Sequence, residues 1–169
     1  MDDKHRLATE SSEAIGLFPG PHLAEGASSL PIVRTQLALA LDLVDRLDGV
    51  VGVCWTVSGV VMPQAGFSRI VADWIGGGRF PAKSLVRLGE VAPGRLCSSG
   101  LGHFIGQEIQ LPIGEAQGSG HATDLAWLLI HELVAIGPVD GPITLEIPGR
   151  KPIHLEPSAD GAVVRVDLS

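Results

Sequence analysis

The segment "SSGLGHFIGQE", residues 98–108, brings a histidine, an amide and a carboxylate together with three glycines. His103 and Glu108 are the residue types that move protons, so a small-molecule hydrolase would use them as its acid–base pair. Gly102, together with Trp55 and Trp127, would instead suit a small-ligand site with an apolar, tryptophan-lined wall. A phosphate cradle fits poorly. Gly100, Gly102 and Gly106 are spaced G-x-G-x-x-x-G, one residue away from the dinucleotide fingerprint, and the pattern calls for no helix after them. Side-chain alternation favours a strand, with His103, Ile105 and Gln107 on one face and Phe104, Gly106 and Glu108 on the other. Gly106 then marks a bulge or a close backbone approach.

A second group of polar residues lies in "HATDLAWLLIHELVAI". At 100° per residue, His121, Asp124, Leu128 and His131 share one wedge of a helix, opposite an apolar arc of Leu125, Leu129, Leu133 and Ile136. His121 and His131 stand roughly 15 Å apart along the axis, too far to hold one ion between them. "HELVA" also lacks the second histidine of H-E-x-x-H, because Ala135 stands there. Neither a metal nor a cofactor is expected, and the wedge reads as a half-solvated face. There is no G-x-S-x-G nucleophile elbow. Cys54 sits in the apolar run "VVGVCWTV", which suits a buried, reduced thiol and argues against a nucleophile. Trp55, Trp74 and Trp127 each fall within an apolar pattern and are expected to pack in the core.

The elements that would position these groups follow from periodicity. Residues 1–20 lack it and are expected to form a flexible arm, closed by "FPGPH" and a short extended piece at His22–Ala24. Residues 21–169 are expected to form a single α+β domain. "SSLPIVRTQLALALDLVDRLDG" predicts a helix with Ser28 or Ser29 as cap and Pro31 in the first turn. Its stripe is Leu30, Val33, Leu37, Leu41, Val44 and Leu47, and Gly49 stops it. Val50–Val57 predicts a strand buried on both faces, followed by a Ser58-Gly59 turn and a second short strand ending at Pro63. "GFSRIVADWIGGG" predicts a second helix with Phe67, Ile70, Val71, Trp74 and Ile75 on its apolar face. Strands are expected at "SLVRLGEV", "RLCSSG" and "HFIGQEIQLPI", then a third helix over about Ala122–Ile136. "ITLEI", "PIHLE" and "AVVRVDL" follow as strands, the last two joined around Asp160-Gly161. The sum is an antiparallel or mixed sheet built largely from hairpins, with three helices packed on it.

Composition narrows the function. The 169 residues suffice for a core without metal or disulfide support. With 45% apolar and 18% charged residues the chain is not a disordered one. A net charge of −7 and the lack of any long basic run argue against a nucleic-acid partner. The polar, acidic N-terminus does not resemble a secretory signal and no apolar stretch is long enough to span a bilayer, so a cytoplasmic protein without membrane contact is expected. The absence of Asn and Tyr, with Arg favoured over Lys, points to a GC-rich bacterial genome.

Taken in order, "GVCWTVSGVV", "SGLGHFIGQEIQL", a helix and "GPITLEI" resemble the bacterial domain-of-unknown-function family 4261 over about residues 22–168. The positions that carry the likeness are Gly100, Leu101, Phe104, Gly106 and Glu108, where the front of the segment fits and the stretch before the glutamate is one residue short. The resemblance implies a small α+β domain with no established reaction and supplies no catalytic residue. The expected function is therefore a non-enzymatic interaction or regulatory module, with another protein as partner. The rival expectations are the hydrolase and the small-ligand domain already named.

Overall fold

The computed structural model describes residues 13–114 and 118–167, and the greater part of the expected arm, residues 1–12, lies outside them. The fold is α+β. A two-stranded antiparallel sheet pairs β1 (Gly52–Trp55) with β2 (Val60–Pro63), and a six-stranded mixed sheet carries the rest. The large sheet is formed by β3 (Arg87–Ala92), β4 (Arg95–Ser99), β5 (Glu108–Pro112), β6 (Ile143–Leu145), β7 (Ile153–Pro157) and β8 (Val163–Asp167). Its order is β3-β4-β5-β8-β7-β6, with β5 and β8 parallel and every other pair antiparallel.

The helices are α1 (Leu30–Arg46), α2 (Gln64–Ile75), α3 (Ala82–Leu85), α4 (Gly102–Ile105) and α5 (Gly118–Ile136), preceded by a 3-10 helix at Pro21–Gly26. Six helical segments thus replace the three expected. The extra ones are short, four residues each in α3 and α4 and six in the 3-10 helix, and hydrophobic periodicity does not register pieces of that length. Pro21 opens the 3-10 helix where an extended piece was expected, its fixed φ being suited to a first helical position. Ala82–Leu85 is a helical turn, and the strand expected from Ser84 begins only at Arg87.

Two cores result. Helix α5 lays Leu125, Leu129, Ile130 and Leu133 over one face of the large sheet, against Leu96, Ile109, Leu111, Leu155 and Val164. Ile136, expected in the same arc, is 52% exposed at the helix end. The second core lies between α1 and α2, where Val33, Leu37 and Val44 meet Phe67, Val71 and Trp74, with Leu85 closing it. Val53, Trp55 and Met62 of the small sheet pack against this second core. Period-2 alternation accounts for the rest of that hairpin: Cys54 and Val61 face outward and are exposed. The expectation of a strand buried on both faces, with a buried Cys54, is therefore corrected. An isolated pair of strands has only one face to bury.

Gln36 of α1 donates through Nε2 to the Leu17 carbonyl at 2.8 Å, which ties the chain before the 3-10 helix to α1. Phe18 nearby remains 75% exposed.

Candidate functional site

Residues 98–108 do not continue as a strand through His103. Leu101 is in the right-handed helical region and its carbonyl accepts from the N–H groups of Phe104 at 2.9 Å and Ile105 at 3.2 Å. Gly106 N–H closes on the Gly102 carbonyl at 2.9 Å with φ of 77°, a left-handed helix end that favours glycine. Gly106 is thus a helix stop and not a bulge. Pairing resumes at Glu108, whose N–H donates to the Ala162 carbonyl beside β8.

The turn forms here because its free backbone donors find an acceptor within the chain. The Glu108 side chain folds back over the loop. Oε1 accepts from Gly100 N–H at 2.7 Å and Gly102 N–H at 3.0 Å, and Oε2 accepts from Leu101 N–H at 3.2 Å. The Ser98 hydroxyl donates to Oε2 at 2.5 Å, and its oxygen accepts from Ile109 N–H at 2.8 Å. Successive backbone N–H groups aimed at one point form an anion-binding concavity. The glycine-rich segment is such a cradle, and its own glutamate fills it. Gly100 and Gly102 differ in how tightly the cradle constrains them. Gly100 has φ of 99°, and a Cβ there would lie 2.7 Å from Ser58 Cβ and 2.9 Å from the Leu85 carbonyl. A Cβ on Gly102 would stand 3.2 Å from Glu108 Oε1.

His103 leaves this cradle on a different side. Its ring meets Trp55 edge-on at 5.8 Å and Phe104 edge-on at 5.1 Å, and the Ala27 backbone faces it. Burial lowers its pKa below 6.5, and the hydrogen bond with the Ala27 backbone offsets part of that effect. No hydrogen bond joins His103 to Glu108 or to another carboxylate among the described residues.

Phe104 connects the two cores. It stacks on Trp55 at 6.4 Å with 14° between the planes and meets Phe80 edge-on at 5.0 Å, while Phe80 meets Trp74 edge-on at 5.8 Å. Phe80 and Phe104 pack against both cores. Around this seam, Trp55 Nε1, Ser58 Oγ and Ser84 Oγ are buried without a protein partner. Trp55 and Gly102 therefore belong to one neighbourhood. Trp127 does not join it: no ring contact links it to Trp55 or Trp74 among the described residues.

Gln107 plays a part that side-chain alternation did not suggest. Its Oε1 accepts from Val139 N–H at 2.7 Å, and its Nε2 donates to the Val139 and Gly161 carbonyls at 3.0 and 2.9 Å. It stitches the loop after α5 to the β7–β8 turn. A shallow hollow of about 370 Å³ opens beside it, lined by Gly106, Pro138, Asp140 and Ser158 among others, and a second of about 320 Å³ lies by Glu146 and Arg150. Trp55, Gly102 and Trp127 line neither.

On α5, His121 and Asp124 are exposed, whereas Leu128 and His131 are half-buried. Trp127 is half-buried too, with Lys83 Nζ 5.9 Å from its ring centroid. His131 has its pKa lowered, first by burial and then by Arg79, with Glu132 opposing and Lys83 adding to the fall. Hydrophobic periodicity placed His131 on a solvated face but gave no sign of these cations, which come from the turn after α2 and from α3. No known family pattern, curated protein or solved structure matches this chain, so the resemblance to family 4261 rests on the residues quoted for it.

Proposed function

We propose that the chain is a non-enzymatic protein-interaction or regulatory module of the bacterial cytoplasm. The observation that supports this most directly is the engagement of Glu108. Both of its oxygens accept from donors of the chain's own loop, so neither is presented to a reactant. His103 is directed at Trp55 and Ala27 and, among the described residues, has no hydrogen bond to the carboxylate partner that acid–base work would need. The outer surfaces offer more. Leu39 and Leu43 of α1 stand exposed at i, i+4 spacing, and Val61 and Val51 are exposed at the small hairpin. The two cysteines are free thiols, which suits a reducing compartment. No helix among the described residues is long and apolar enough to cross a membrane.

The test is to express the tagged full chain in its native cells and purify it under native conditions. A stoichiometric partner protein that survives gel filtration supports the reading. A chain that elutes alone and hydrolyses small esters or amides, with turnover lost in His103→Gln, overturns it.

A further inference from the structure

Among the described residues, every helix or strand but one exposes at most one large apolar side chain. The exception is α1. Leu39, Leu43 and the capping residue Leu47 are 53%, 37% and 40% exposed. At about 100° per residue they fall within an arc of about 80°, away from the Val33, Leu37 and Val44 that meet α2. The stripe runs on toward the start of the helix through Gln36. That side chain holds the Leu17 carbonyl, and the exposed Ile15 and Phe18 flank Leu17 in the chain.

Charge lies along one edge of the stripe. Asp42 and Arg46 stand there, joined to each other at 2.8 Å, whereas Ala40 and Val44 line the other edge. Such a surface can meet its own copy. When two helices run antiparallel about a two-fold axis, like edges come together and each contact occurs twice. With the axis at the level of Val44, one register meets two separate requirements. Arg46 of each copy stands level with Asp42 of the other. Each Leu43 falls between Leu43 and Leu47 of the other copy, about 3 Å along the axis from either, as interleaved helix ridges require. A parallel pair would set the charged edge against Ala40 and Val44 and leave the charges unmatched. Residues 1–12 supply no other cover for three leucines, since Leu7 is their one large aliphatic side chain after Met1.

We infer that α1 pairs with α1 of a second copy of this chain, antiparallel about a two-fold axis at Val44, through Leu39, Leu43 and Leu47. Three partly exposed leucines and their charged edge fall short of the roughly 800 Å² per partner of a standard interface, so the dimer should dissociate on dilution. The inference goes beyond the interaction-module reading and names an occupant for the exposed leucines.

The test is sedimentation equilibrium of the full chain over a wide range of concentration, read as a dissociation constant. Wild type should pass from one chain to two as concentration rises. Leu43→Glu should remain a single chain with an unchanged circular dichroism spectrum, because Leu43 belongs to neither core. Asp42→Arg and Arg46→Glu each set like charges level with one another twice per dimer, and each should raise the dissociation constant about tenfold. Mixed in equal amounts, the two variants should form a dimer of about wild-type strength. Every facing pair is then opposite in sign, although the pair within each helix stays repulsive. The inference is overturned if wild type stays monomeric at every concentration, if Leu43→Glu dimerises as wild type does, or if the mixture is as weak as its components. A monomeric wild type that still carries a stoichiometric native partner overturns the self-pairing and leaves the interaction-module reading intact. A dimer that hydrolyses small esters, with turnover lost in His103→Gln, supports the self-pairing and overturns that reading.

Discussion

Removing the Glu108 carboxylate should loosen the loop it fills, by an amount its hydrogen bonds allow us to work out. Glu108→Ala deletes the acceptor for three backbone N–H groups and one hydroxyl. A hydrogen bond to a charged group contributes about 1.5–3 kcal/mol net, and an orphaned buried donor adds its own desolvation cost. Glu108 is only half-buried, so water can replace part of what is lost, and the longest of the four bonds, to Leu101 at 3.2 Å, contributes least. A total of about 3 kcal/mol is expected. Glu108→Gln keeps one acceptor oxygen for Gly100 and Gly102 but turns an NH2 toward Leu101 N–H, and should cost about half as much. The assay is urea denaturation at fixed pH, read as a shift in midpoint at constant slope. Hydrogen exchange at Gly100 and Gly102 should quicken before global unfolding. Because the emptied cradle still points three N–H groups at one place, acetate at matched ionic strength should stabilise Glu108→Ala and leave the wild type unchanged. A Glu108→Ala protein within about 0.5 kcal/mol of wild type, with no acetate response, would refute the reasoning.

Two further outcomes follow from the same seam. Gly100→Ala places a Cβ 2.7 Å from Ser58 Cβ and 2.9 Å from the Leu85 carbonyl, with φ at 99°, and should destabilise by about 3 kcal/mol or more. Gly106→Ala meets no atom within 4 Å and should cost about 1 kcal/mol from its positive φ alone, so equal midpoints for the two variants would contradict the packing argument. The pKa values of His103 and His131 are lowered from 6.5 chiefly by burial, so the unfolded chain takes up protons first as the pH falls. Their contribution to stability is whole above about pH 6.5 and declines below it. Urea midpoints from pH 8 to 5 should show that decline, and His103→Gln should flatten it; an unchanged slope would count against a buried, neutral His103.

Long periodic elements were legible in the sequence and short ones were not. Helix α1 needs only its repeating leucines and valines, and the structure buries Val33, Leu37 and Val44 of that stripe as expected. The β7–β8 hairpin announces itself through Asp160-Gly161, and there the Asp160 carboxylate accepts from Ser158 and from Ala162 N–H. The stretch 98–108 misled for a physical reason. Its alternating side chains satisfy a strand pattern, but the conformation is decided by where backbone N–H groups find an acceptor, and that acceptor lies six residues downstream of the last of them. No local propensity scale contains a contact of that kind. The neighbourhood of Trp127 was equally invisible, because Lys83, whose Nζ lies over its ring, comes from α3, a single turn whose last two residues the sequence pattern reads as the beginning of a strand.

These contacts make the segment a joint between the two cores, whatever the number of chemical residue types it holds. Glu108 and Ser98 fix the loop from below, while Phe104 occupies the space between Trp55 and Phe80 and so couples the sheet core to the helical core. A general base must exchange partners during each turnover. Glu108 can release its partners only by freeing three backbone donors at the place where the two cores meet. The same wiring that makes the segment conspicuous in sequence therefore holds it still. On the interaction-module reading proposed above, recognition falls to side chains whose movement disturbs no core.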